Sequence, residues 1–420
     1  MVKTNMENPA KQTGGRMGMG LRVRLSAMMF LQYMMLPVWF NTVIPYVQTL
    51  PGGDRWAMWC GMLLGFGTLA SPLFGMFADR FLNAEKVLAI SDFIYAGLMT
   101  GCFFVRDPSW LFVLLLAAAV VNMPGWSISA TIAMSGSSSA DYPSVRVFGS
   151  LGWVCSAVFS VIGIRWFGLA DFDKSPWIFA CAAFAGVVGG FVALVQPAMP
   201  PAAKGRPMSV VDALGLRALT LFRRTDFAVF TVLLMLAMVP FQWYMAYNAM
   251  YLDESGFRYL TLTQNLGQVG ELAFMLAVPV IVSRFGYRRA MVLGLAAMAV
   301  RYACFSASVA TGIHVFDFGG ILIHGLIFAL LIVGAQMYVD DHAPAELRNQ
   351  AQGLIMTMMT SIGTFASCAL FERLLAVHAT VSADGARGHD WSVPYLVAFA
   401  LSVIVAVLMA TLVRDGRRER

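Results

Sequence analysis

Residues 111–121 read LFVLLLAAAVV, and no polar side chain interrupts them. Lipid offers the backbone no hydrogen bonds, so such a segment crosses a bilayer only as a helix or as a strand of a closed barrel. Barrel strands alternate apolar and polar residues over about ten positions. This stretch does not alternate, which decides for helix. Apolar runs of about 20 residues, enough to span a hydrocarbon core, recur along the chain. The composition agrees. The 420 residues are 59% hydrophobic and 12% charged, with a mean hydropathy of +0.71; a soluble domain is about a quarter charged.

Working outward from this stretch predicts an all-α polytopic membrane protein with twelve transmembrane helices, near 24–48, 56–78, 85–105, 109–135, 145–168, 176–196, 227–252, 259–283, 289–310, 316–339, 350–376 and 391–413. The longest polar connector, QPAMPPAAKGRPMSVVDALGLRALTLFRRTD (196–226), separates six spans from six. The expected organisation is an N-terminal bundle over 1–196, a cytoplasmic linker over 197–226 and a C-terminal bundle over 227–420. Placing both termini in the cytoplasm puts twenty lysines and arginines on that side and seven outside, the bias expected of an inner-membrane protein. The halves also echo each other. Arg80-Phe81 after span two matches Arg284-Phe285 after span eight. Arg146 matches Arg348, and Trp39 matches Trp243, each at about half the chain length. Such repeats mark two six-helix halves in parallel arrangement.

Other classes lose ground. The net charge of +6 sits in short connectors, not in a basic stripe with interleaved aromatics, so no nucleic-acid partner is expected. The six cysteines lie singly in apolar runs and read as small core residues, with no metal or disulfide spacing. H-E-x-x-H is absent, and neither a cofactor nor enzymatic activity is expected. The polar first 20 residues and the long first span, which carries Gln32 and Asn41, do not read as a cleavable signal.

A few polar groups stand inside apolar runs. Glu271, in NLGQVGELAFMLAVPVIV (265–282), falls near mid-depth of span eight, with Gln268 three residues earlier on the same face. A carboxylate at that depth costs several kcal/mol unless it pairs, meets water or takes a proton. It is either a polar clamp between helices or a group that binds and releases a proton during transport. Arg146 opens YPSVRVFGSLGWVCS (142–156); it either snorkels to the cytoplasmic face or turns inward. Gly149, Ser150 and Gly152 leave room on that side, and Trp153 adds a ring. Gln242 and His324 interrupt MVPFQWYMAY and ILIHGLIFALL; the histidine is either an interhelical hydrogen bond or a titrating group. Arg301 and Asp92 read as structural, the arginine snorkelling or pairing locally. Trp39, Trp153, Trp243 and Tyr244 flank these polar residues. Amides, a carboxyl, a guanidinium and flat rings together suit a polar, planar, multi-hydroxyl ligand.

The sequence resembles the nucleoside–proton symporters of the major facilitator superfamily. The likeness rests on RLSAMMFLQYMMLPVWF (24–40), GMFADRFLNAEKVLAI (75–90), NMPG (122–125), YPSVRVFGSLGWV (142–154), QVGE (268–271), SRFGYRRAM (283–291) and RNQAQGLIMTMMTSIG (348–363). Gly75, Asp79 and Arg80 fit the G-x-x-x-D-R signature of that superfamily, which implies a cytoplasmic gate. The resemblance implies that Arg146, Ser150, Trp153, Gln242, Gln268, Glu271 and His324 bind substrate, with Glu271 coupling the proton. Two family positions depart: a ligand-contacting aspartate falls on Ala329, and an asparagine after the span-seven glutamine falls on Met245. The expected function is proton-coupled uptake of nucleosides, or a related small polar solute, by alternating access in a monomer embedded in the lipid bilayer. The alternatives are a carrier of the same fold for another solute such as a sugar, a facilitator without proton coupling, or a sensor.

Overall fold

The computed structural model describes residues 17–137, 141–201, 216–344, 347–381 and 387–413; within these, the side chains of residues 73–80, 272, 276, 279, 349 and 387 are not described. The described chain is almost entirely helical, apart from a small antiparallel hairpin of β1 (Ala379–Val381) and β2 (Arg387–His389). The helices of the first half are α1 (Met19–Met34), α2 (Pro37–Phe40), α3 (Val43–Gln48), α4 (Ala57–Gly61), α5 (Leu63–Arg80), α6 (Ala84–Phe104), α7 (Pro108–Gly136), α8 (Tyr142–Cys155), α9 (Ala157–Arg165) and α10 (Trp177–Leu194). The second half holds α11 (Thr225–Glu254), α12 (Leu260–Thr311), α13 (Val315–Leu322), α14 (His324–Ile327), α15 (Gly334–His342), α16 (Arg348–Thr357), α17 (Gly363–Val377) and α18 (Ser392–Leu412).

Ten helical segments among the described residues are long and apolar enough to cross a membrane. The stretch LFVLLLAAAVV lies inside one of them, α7. Two further elements matter for the span count. The first is α5, which carries Pro72. The second is the 52-residue α12, broken at Gly286, which has φ 82° and ψ 167°. Only glycine takes that conformation without strain. The expected connector SRFGYRR is therefore a one-residue break rather than a loop.

Each half packs mainly on itself. In the first, α6 lies against α10 and α7, α5 against α7, and α1 against α8. In the second, α12 packs on α18, α13 and α14, and α11 packs on α17. The halves meet along a narrower seam. There α12 faces α8 and α9, α3 faces α11, and α5 faces α16, α17 and the π-turn Met358–Ile362. Ser361 Oγ donates to the Gly65 carbonyl across this seam at 2.8 Å.

Small residues set the closest approaches, as expected where lipid supplies no hydrophobic drive between helices. A Cβ on Gly152 would lie 2.0 Å from the Phe30 carbonyl oxygen, so α8 crosses α1 backbone against backbone. Gly152→Ala is expected to force these helices apart. Overpacking of this kind costs about 1–3 kcal/mol. The apparent melting temperature in detergent should fall by several degrees, and an unchanged melting curve would refute the close approach.

The aromatic expectation is corrected for two rings. Trp39 is fully buried and donates to the Tyr95 hydroxyl at 2.9 Å, and Trp243 stacks on Phe371 at 4.0 Å. Both are packed among rings of their own half.

Candidate functional site

The central residues gather where α8 meets α12. Glu271 is 7% exposed and faces α8 across the seam, where Ser150 Oγ donates to its Oε1 at 3.4 Å. That separation is long for an O–H···O bond, whose usual length is about 2.7–2.8 Å. The carboxyl is turned to the other half of the protein, not to lipid, and it forms no ion pair among the described residues. Its principal charged neighbour is Arg146.

Arg146 starts in the first turns of α8, yet its guanidinium reaches one turn deeper. A Cβ on Gly149 would lie 2.7 Å from Arg146 Nη1 and 3.1 Å from the Tyr33 ring. The missing side chain at 149 leaves the space that the guanidinium occupies. Arg146 Cζ sits 4.4 Å from the Tyr33 ring centroid, and Tyr33 stacks on Trp126 at 4.9 Å and 7°. Trp126 meets Trp153 edge-on at 5.9 Å. The result is an aromatic wall of three rings with one cation over it. Two polar atoms at this wall, Arg146 Nη1 and Trp153 Nε1, are buried without a hydrogen-bond partner among the described residues. A buried donor left unmade costs about 1–3 kcal/mol, so such atoms mark places where a solute or water completes the structure.

The α12 side is built on a polar stripe. Thr261, Asn265, Gln268 and Glu271 follow one another at three- and four-residue spacing, which keeps them on one face. Asn265 Nδ2 donates to Ser156 Oγ at 2.9 Å and to the Trp153 carbonyl at 3.0 Å, and its Oδ1 accepts from Asn41 at 2.9 Å. It ties α12 to the break between α8 and α9. Gln268, in the orientation that satisfies its surroundings, donates to the Gln264 and Asn265 carbonyls at 3.1 and 3.2 Å. That leaves its oxygen as the free end.

His324 belongs to a second cluster. Helices α12 and α14 touch through glycines: a Cβ on Gly325 would lie 2.3 Å from the Glu271 amide nitrogen. His324 stacks between Phe241 and Tyr244, and its Nδ1 lies 2.9 Å from Arg301 Nη2. A guanidinium only donates, so Nδ1 accepts and the ring carries its hydrogen on Nε2. Arg301 itself is 0% exposed, donates from Nε to the Gly320 carbonyl at 3.1 Å, and lies 4.0 Å over the Tyr244 ring. Complete burial excludes the snorkelling expectation; local pairing is what the arginine does. Gln242 is buried beside Gly363 of α17. Asp92, read as structural, accepts from Gln32 Nε2 at 2.6 Å inside the first half. Ala329 is fully buried, and Met245 is buried on α11.

The structure thus brings Arg146, Ser150, Trp153, Gln268 and Glu271 to one seam, and sets His324 on a neighbouring turn with Arg301. Tyr33, Trp126 and Asn265 were not singled out by sequence. The spacing rule that joined Gln268 to Glu271 also reaches Asn265. Gly75, Asp79 and Arg80, expected to form a gate, lie in the last turns of α5, and their side chains are outside the described residues. Among the described residues no group of three or more His, Cys, Asp or Glu side chains is placed to hold a metal ion.

Residues 19–418 match the family described as Nucleoside H+ symporter. The chain belongs to that family. Curated relatives of this nucleoside H+ symporter chain include the putative nucleoside transporter YegT of Escherichia coli (strain K12), 30% identical over 94% of each chain. The xanthosine permease of the same organism is 26% identical over 93% of this chain and 95% of its own length. Among solved structures, the nucleoside transporter NupG superposes with a TM-score of 0.79 at 22% identity, over 93% of this chain and 98% of that one. A D-xylose-proton symporter gives a TM-score of 0.70 at 13% identity, over 95% and 99%. These likenesses show that the chain shares the fold of those two transporters. The nucleoside H+ symporter family is one of multi-pass membrane transporters, not enzymes.

Proposed function

We propose that this protein takes up nucleosides together with protons by alternating access, and that Glu271 carries the coupled proton. The observation that carries the reading is the placement of that carboxyl on the seam, one long hydrogen bond from Ser150 of the other half. A carboxylate held between two moving bodies changes its surroundings when they rock, and a group whose surroundings change can load and release a proton in each cycle. Arg146 and Trp153 supply donors on the opposite wall, while Gln268 and Gln242 supply amides. The Tyr33, Trp126 and Trp153 rings give a flat surface for a base. His324, fixed as an Nε2–H donor by Arg301, supplies a neutral hydrogen-bond donor from span ten.

The same reading counts α5 and the part of α12 before Gly286 as spans, which makes twelve in two six-helix bundles, 1–196 and 227–420, joined by a linker over 197–226. Both termini then face the cytoplasm, and a monomer in the inner membrane suffices. Gly75, Asp79 and Arg80 form the cytoplasmic gate.

Two measurements test this. Purified protein is heated with nucleosides, free bases and sugars. A ligand that binds only the folded protein stabilises it by about 2.7 kcal/mol at one hundred times its Kd, so nucleosides should raise the melting temperature and sugars should not. Proteoliposomes with an acidic exterior should then accumulate the stabilising nucleoside, and collapsing the pH gradient should stop it. Stabilisation by sugars alone would replace the substrate; accumulation indifferent to pH would remove the coupling.

A further inference from the structure

The start of α12 lacks a cap of its own. Its first residues leave backbone N–H groups without helical partners, which a side chain just before the helix normally satisfies. Tyr259 occupies that position and makes no capping bond. The acceptor comes from elsewhere. Asp173, in the connector between α9 and α10, accepts from the Thr261 backbone N–H at 3.2 Å through Oδ2 and from Thr261 Oγ1 at 3.0 Å through Oδ1. Ser160 Oγ of its own half adds a third bond at 2.8 Å. A carboxylate at a helix N-terminus also meets the positive end of the helix dipole. One half of the transporter thus caps a helix of the other.

Beside this contact, Lys174 Nζ reaches Asp253 Oδ1 at 2.8 Å, again across the seam. The two links differ in weight. The lysine and its partner are 28% and 27% exposed, and exposed ion pairs contribute about 0–1 kcal/mol. Asp173 is 3% exposed, so parting the halves there breaks the two bonds from Thr261 and bares a helix terminus. Burial pushes the Asp173 carboxyl above the usual carboxylate range, and the bonds from Ser160 and Thr261 draw it back. The cost of burial and the gain from bonding oppose each other, which suits a contact that must break in every cycle. Below it on the same face of α12 stand Asn265 and Glu271, so the capped end lies on the stripe that carries the coupling carboxyl.

We propose that Asp173 is a positioning residue that sets the balance between outward-closed and outward-open states by capping α12 from the other half. The proposal rests on the reading of two rocking halves. It is tested by hydrogen exchange on the full-length protein in detergent, with and without uridine, adenosine or xanthosine. In wild type, ligand should alter exchange at both faces; if neither face responds to any nucleoside, the transporter reading fails first. Asp173→Ala is expected to speed exchange roughly fivefold in 166–176 and in 255–265, consistent with loss of a cap worth about 1 kcal/mol. It should also slow exchange at the opposite face, in the last turns of α5 and the first of α16. Faster exchange at both faces is plain destabilisation and overturns the proposal, as does no change. Should Asp173→Ala fail to fold, Thr261→Val removes one donor and keeps the backbone N–H. It must show the same opposed pattern at smaller amplitude, and a wild-type pattern there sinks the idea.

Discussion

Glu271→Gln is expected to abolish accumulation driven by a pH gradient while leaving exchange of labelled for unlabelled nucleoside across the same liposome membrane. Glutamine keeps the volume of the side chain and still accepts from Ser150, so packing at the seam survives. It cannot carry a proton. For one proton per solute, a gradient of one pH unit supports about tenfold accumulation, because each unit is worth about 1.36 kcal/mol. The variant should equilibrate solute to equal concentrations on both sides and go no further. Persisting tenfold accumulation would place coupling on another group. The exchange assay guards against a trivial result, since a misfolded protein loses both activities and an uncoupled one loses only the first.

Arg146 carries the second large effect. Arg146→Ala removes a cation that lies 4.4 Å from the Tyr33 centroid and has an unpartnered Nη1 beside the aromatic wall. A partly desolvated cation–π contact is worth about 1–2 kcal/mol and a charged hydrogen bond to solute about 1.5–3 kcal/mol. Losing the hydrogen bond should weaken nucleoside binding roughly 100-fold, and losing the ring contact should lower stability. Arg146→Lys should recover little of this, because a lysine keeps the charge but not the planar fork that lies on the ring and projects a second donor. Binding measured by calorimetry separates the alternatives. If the lysine variant binds as wild type does, the guanidinium serves only as a charge.

The architecture was legible because its cause is written locally. Unbroken apolar runs such as 111–121 have one solution in lipid, and that stretch lies within a long helix. The site was legible in part, for the same reason: Glu271, Gln268, Arg146 and His324 stand out as polar groups where the solvent is hydrocarbon. What stayed hidden depends on partners far apart in the chain. Tyr33 and Trp126 look like ordinary membrane aromatics until Gly149 lets a guanidinium lie on one of them. Arg301 could not be told from a snorkelling arginine without the Gly320 carbonyl and His324 that receive it. Asp173, in a short loop beside Lys174, reads as one more surface charge; its role needs the uncapped start of a helix 87 residues later in the chain.

The burial of Arg301 bears on how the protein is made. A lone arginine at the centre of a nascent helix resists partition from the translocation channel by about 2.5–3.5 kcal/mol. Both groups that receive this one, the Gly320 carbonyl and His324, are synthesised only after it. The segment that carries Arg301 therefore has reason to wait at the channel's lateral exit until the one that carries His324 arrives, and the two enter the lipid as a hairpin.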